Sequence, residues 1–120
     1  MGFIEKFTEN LERFDWKRYE HYIHRDIYRE LIQIVSDVES SELCGRVFIG
    51  KNPVNMQKVV EVFSLLECEH LQSVCEKYVK IEYPVKNTRA YLQAMLYNEV
   101  FEHSAKVDNE VGVNEGAGDV

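Results

Sequence analysis

Between Asp26 and Val38 a pattern of apolar residues runs through Ile27, Leu31, Ile34, Val35 and Val38, with Arg25, Arg29, Glu30, Gln33 and Asp37 on other faces. Spacings of three and four put one stripe of a helix against a core and leave charges on the other faces. The same rhythm returns at Phe3, Ile4, Phe7, Leu11 and Phe14, at Met56, Val59, Val60, Phe63 and Leu66, at Leu71, Val74, Cys75, Tyr78 and Val79, and at Tyr91, Leu92, Met95 and Leu96. A chain written this way must pack helices on helices. The 120 residues suffice for one domain with its own core.

The punctuation between stripes sets the element bounds. Asp15 is a candidate cap for a short turn over Trp16–Glu20. Ser40-Ser41-Glu42 closes the Asp26–Val38 helix, and Arg46-Val47-Phe48-Ile49 reads as a strand, closed by Gly50-Lys51-Asn52-Pro53 with Val54 returning. Asn55 then caps a helix over Met56–Leu66, a further helix runs over Cys68–Ile81, and Pro84 forbids its continuation. Asn87 caps a last helix that ends near His103. The expected fold is mostly α (α+β), with about five helices and one short β-hairpin in a single compact domain over residues 1–103. Residues 104–120 carry three glycines, four acids, one base and no aromatic residue, which predicts a disordered acidic tail.

Composition narrows the function classes. The 14 Lys and Arg against 21 Asp and Glu give a net charge of −7, which argues against coating nucleic acid by charge alone. No apolar run is long enough for a membrane helix, and Met1–Lys6 lacks the pattern of a signal peptide, so a cytoplasmic protein without membrane contact is expected. Cys44, Cys68 and Cys75 show no paired spacing and read as thiols, the last two within an apolar stripe. His21 and His24 could meet one metal from one turn, but two histidines supply half a zinc shell, so no metal and no cofactor is expected. The serines lack an activating context and the glycines lack phosphate-loop spacing. No catalytic residue is assigned, and the chain is read as no enzyme.

Two groups of polar residues remain as site candidates. Lys17, Arg18, Arg25 and Arg29, with Tyr19, Tyr22 and Tyr28 among them, have the basic and aromatic mix of a nucleic-acid face. Glu20, Asp26 and Glu30 interleave with them, which is also how an ion-paired surface helix is written. Lys86 and Arg89 flank the start of the last helix, where they could join such a surface.

The segment Val47–Asn98 resembles the C-terminal domain, itself of unknown function, of replication initiator A proteins from plasmids and conjugative elements of Gram-positive bacteria. The resemblance rests on Val47-Phe48-Ile49-Gly50, Val59 and Phe63, Leu66 followed by Glu69-His70-Leu71 and Val74, and Val85-Lys86-Asn87-Thr88-Arg89-Ala90-Tyr91-Leu92 running to Leu96-Tyr97-Asn98. Residues 5–38 resemble the family's first helices more loosely. Asn55 and Glu99-Val100 stand where the family commonly has proline, and the second departure leaves room for a longer last helix. The origin-binding winged-helix domain of such initiators has no counterpart in these 120 residues, so origin recognition is not carried over.

That C-terminal module is similar in fold to DnaD-type primosomal domains. The resemblance implies a non-catalytic interaction module that recruits host replication proteins, primase or helicase-loading components. The alternatives are a DNA-binding accessory domain, making weak DNA contact, and a stand-alone regulator of an initiator; a second copy of the chain is a further partner to consider. Tyr91 and Leu92 are expected in the core, whereas Arg89 and Tyr97, with Lys86 and Asn98, are the candidate partner interface because their polar tips must reach solvent or a partner.

Overall fold

A computed structural model describes the backbone of residues 2–114 and the side chains of residues 2–102. Six helices and one antiparallel hairpin follow in the order α1 (Phe3–Arg13), α2 (Trp16–Tyr19), α3 (Arg25–Glu39), β1 (Arg46–Ile49), β2 (Asn52–Asn55), α4 (Met56–Phe63), α5 (Cys68–Tyr78) and α6 (Thr88–Asn114). The mostly α class with a single hairpin is as the periodicity predicts.

Helix α3 lies at the centre and packs against α1, α2, α4, α5 and α6. Its predicted stripe is buried at Leu31, Ile34, Val35 and Val38, and Tyr28, Ile32 and Ser36 are buried as well, so it is enclosed on more than one face. Phe14, Val59, Phe63, Leu71, Val74, Leu92 and Leu96 close the core around it. Helix α1 docks from Phe7 onward, and its first turn stands free of the core. Phe14 is fully buried and Phe7 and Leu11 are half-buried, whereas Ile4 is 77% exposed.

A polar network fixes α1 against α3 and α4. Asn10 is buried and its amide donates to Ser36 Oγ and to Glu39 Oε1, each at 3.0 Å. Arg13 pairs with Glu39 at 2.9 Å and donates through Nη2 to the carbonyls of Phe63 and Leu66, at 2.7 and 3.2 Å. One guanidinium thus satisfies carbonyls at the end of α4 while neutralising a carboxylate of α3.

Several local expectations are corrected. Asp15 does not cap α2 through its side chain: its φ of 55° is left-handed, which turns the carboxylate away from the amides an N-cap must reach, and Asp tolerates that conformation. The hairpin turn is Gly50-Lys51 alone, with Asn52 and Pro53 inside β2, and the positive φ of 64° at the first central residue fits a type II′ turn. Pro53 is tolerated because both strands are edges. Helix α4 ends at Phe63 and α5 at Tyr78, each three residues before its predicted end, and Leu66 stays buried from the intervening turn.

The caps at Asn55 and Asn87 are present, accepting from the amides of Gln57 at 2.8 Å and Ala90 at 3.0 Å. Helix α6 runs past His103 to Asn114, through a stretch with no proline and with the helix formers Ala105, Lys106 and Glu110. Of the tail expected to be disordered, residues 115–120 lie outside the described residues.

Candidate functional site

The basic and aromatic segment around α2 is resolved into two layers. Its rings turn inward: Tyr19 and Tyr28 stack with centroids 4.1 Å apart, Trp16 stacks on Tyr28 at 6.4 Å, and Tyr22 meets Tyr19 edge-on at 5.5 Å. Tyr28 is fully buried and donates its hydroxyl to the Phe14 carbonyl at 2.6 Å, and burial drives its pKa far above the ordinary phenol value. These rings hold the α1–α3 corner together and leave no face for a base.

The cations of that segment stay outside and use the aromatic layer as a floor. Lys17, Arg18, Arg25 and Arg29 are all exposed. Arg29 lies over the rings of Phe7 and Trp16 at 5.3 and 5.4 Å, and Arg18 lies over Tyr19 at 5.6 Å. His21 is 93% exposed beside Glu20, while His24 packs edge-on against Tyr22. Among the described residues no group of three or more His, Cys, Asp or Glu side chains is placed to hold a metal.

The cysteines separate by burial. Cys75 is in the core, where desolvation pushes its thiol up to about 12, so it stays a protonated thiol at neutral pH. Cys68 is half-buried and Cys44 exposed, and all three are free.

The second candidate group does not form one surface. Arg89 is exposed on the first turn of α6 and its guanidinium pairs with Asp37, tying α6 to α3. Tyr97 lies about 12 Å further along the axis, half-buried, with its ring 5.2 Å from Phe101. Asn98 is exposed and nine positions from Arg89, about half a turn round the helix and so on its opposite side. The polar tip of Arg89 reaches a carboxylate of its own chain.

Lys86 stands apart from the other three, in an apolar cleft. The cleft has a volume of about 460 Å³ and lies between the hairpin tip, the α5–α6 loop and the first turns of α6; Phe48, Tyr83, Pro84, Lys86, Ala90 and Tyr91 are among its walls. Phe48 and Tyr83 are 65% and 61% exposed. Phe48 faces outward because Val47 and Ile49, on the other face of β1, turn inward. Tyr91, expected in the core, is half-buried: its ring packs against Tyr78 at 6.2 Å while its hydroxyl lies 2.9 Å from that of Tyr83. That hydrogen bond, more than burial, raises the Tyr91 pKa, and it joins the loop to the helix.

From the sequence Phe48 is only a strand residue and Pro84 only a helix breaker, and none of Phe48, Tyr83 and Pro84 is named as a site residue, although two signals are present. Strand alternation places Phe48 opposite its two inward neighbours, and Tyr83-Pro84 sits between the stripe that ends at Val79 and the one that begins at Tyr91, outside either core-facing pattern. A further unforeseen feature is Lys77, which bonds Glu99 at 2.9 Å and Glu102 at 2.7 Å across α5 and α6. Burial alone would lower the Lys77 pKa, but the bonds from Glu102 and Glu99 outweigh it and hold the ammonium above its ordinary value.

Among the described residues no helix is long and apolar enough to cross a membrane. No family model, curated protein or solved structure matches the sequence.

Proposed function

We propose that this chain is a non-catalytic interaction module acting in the cytoplasm in plasmid-type DNA replication, where it recruits host replication proteins such as primase or helicase-loading components. The observation that carries the proposal is the exposed aromatic cleft, because its walls at Phe48, Lys86 and Tyr91 come from the same segments that resemble the initiator domain. Exposed aromatic rings beside a lysine are the composition of a partner surface, and they are costly to leave in water without one. The accessory DNA-binding reading has less support, since Tyr19, Tyr22 and Tyr28 are occupied by one another.

The test is a titration of the purified chain against purified primase and helicase-loading proteins, with double-stranded DNA at two salt concentrations in parallel. Binding of at least one replication protein, weakened by Phe48→Ser and unaffected by Arg18→Glu, is the expected result. Tight DNA binding that falls steeply with salt, with no protein bound, would transfer the function to the Lys17–Arg29 surface.

A further inference from the structure

The same cleft carries chemical information about its occupant. Its apolar walls are bordered by cations: Lys86 lines it, Lys51 follows the lining residue Gly50 in the hairpin turn, and Arg46 begins β1. All three are exposed, and among the described residues none of them has an ion pair, unlike Arg89, which Asp37 neutralises. Glu82 is the single acid in the loop between α5 and α6, against Lys80 and Lys86. On a chain of net charge −7, the cleft is a local reversal of sign.

The strand adds main-chain groups. In a hairpin closed by a two-residue turn the Ile49–Asn52 pair is hydrogen-bonded, so the next pair, Phe48 with Pro53, is not. The N–H and C=O of Phe48 therefore point away from β2, and no described residue bonds them. Extended backbone is the complement of such an edge.

We infer that the cleft binds an extended, acidic segment of a partner protein, with an apolar side chain seated among Phe48, Tyr83, Ala90 and Tyr91 and flanking carboxylates meeting Lys51 and Lys86. This rests on the cleft being the partner surface and deepens that reading; it does not depend on the partner being a replication protein. A second copy of the chain is a poor occupant, because a two-fold contact at this patch would set Arg46, Lys51 and Lys86 against their own copies.

The probe is a random twelve-residue peptide library displayed on phage and selected on the full chain, followed by anisotropy titration of labelled synthetic copies of the enriched peptides. The expected outcome is enrichment of sequences with Asp or Glu on both sides of an aromatic or aliphatic residue. Lysine replacing those acids should weaken binding by about tenfold or more, as should Phe48→Ala, with Lys86→Glu giving a smaller loss. Ala90→Glu serves as a second block, because Glu three positions after the Asn87 cap favours the helix while its carboxylate closes the cleft.

Enrichment of basic peptides, no enrichment over the Ala90→Glu chain, or binding unchanged by both Phe48→Ala and Ala90→Glu would overturn the inference. If peptides fail while purified replication proteins bind, the cleft assignment falls and the proposed function stands. The reverse pattern removes replication and keeps the cleft.

Discussion

Around the first half of α3 each aromatic ring has another ring or a cation against it, whereas at the cleft Phe48 of the hairpin and Tyr83 of the α5–α6 loop stand half in water. Both regions are rich in tyrosine and both carry basic residues. They differ in where their polar atoms end. Along α3 the groups of Asn10, Arg13, Ser36 and Glu39 are bonded to one another and Tyr28 is bonded to main chain; the Tyr22 hydroxyl is buried without a partner among the described residues, but these other bonds serve to specify the fold. At the cleft the Tyr83–Tyr91 hydroxyl pair orders the walls and leaves the cations and the strand edge open. Similar composition therefore serves architecture in one place and, on the function proposed above, recognition in the other.

If that division is right, substitutions in the first region should unfold the protein and those in the second should not. The largest effect is expected for Tyr28→Ala, which removes a fully buried ring from the stack with Tyr19 and Trp16. A loss of about 3–5 kcal/mol in chemical denaturation is expected, since the central helix cannot collapse onto the cavity from all sides. A loss under about 1 kcal/mol would show that the corner is loosely packed and would erase the contrast.

Next comes Arg13→Ala, at about 2–3 kcal/mol, because Glu39 is left mostly buried without its counter-charge and the carbonyls of Phe63 and Leu66 lose their donor. A double-mutant cycle with Glu39→Gln separates these parts. A coupling energy near zero would mean the arginine acts through the Phe63 and Leu66 carbonyls, Asn10 and the Phe14 ring, and not through Glu39.

Lys77→Met tests the bridge from α5 to α6. Lys77 is about half exposed, so solvent screening reduces the expected loss to about 1 kcal/mol at neutral pH even though Glu99 is buried. The sign of the pH dependence follows from the raised pKa: the contribution is complete below the ordinary lysine value of 10.5 and is lost as pH rises through the higher folded value. Stability curves of the two chains should converge at alkaline pH. A gap that persists there would assign the effect to packing.

The smallest effect belongs to Phe48→Ser and Tyr83→Ser, each expected to change stability by about 0.5 kcal/mol or less while weakening partner binding. A cooperative loss of folding from either would make these rings structural and remove the distinction between the regions.

Much of the helical frame was legible in the sequence, because a stripe such as Leu31, Ile34, Val35 and Val38 states locally which face is buried. The hairpin and the caps at Asn55 and Asn87 were legible for the same reason, since turn and cap chemistry acts over a few residues. What was not legible is set by distance along the chain. Arg13 meets carbonyls 50 and 53 residues away, and Arg89 meets Asp37 from 52 residues away.

No local pattern announces such pairings, so Arg89 reads as an open cation, and the basic and aromatic segment fits both a nucleic-acid face and an ion-paired surface helix. Lys86 and Tyr91 are legible one at a time, but only the meeting of β1 with the α5–α6 loop brings them into one cleft. Asp15 was misread because its composition fits a cap while its backbone does not.

Asn55 is both the last residue of β2 and the cap of α4, and the amide of the next residue, Met56, donates to the Gly45 carbonyl at the foot of β1 at 3.0 Å. A two-stranded ribbon of this length has little tendency to persist alone. Because one side chain ends the strand and starts the helix, the ribbon cannot open without uncapping α4. In native-state hydrogen exchange the paired strand amides and the first-turn amide of Gln57 should therefore open as one unit with a shared free energy, so the Phe48 wall of the cleft inherits its lifetime from a helix to which that ring does not belong.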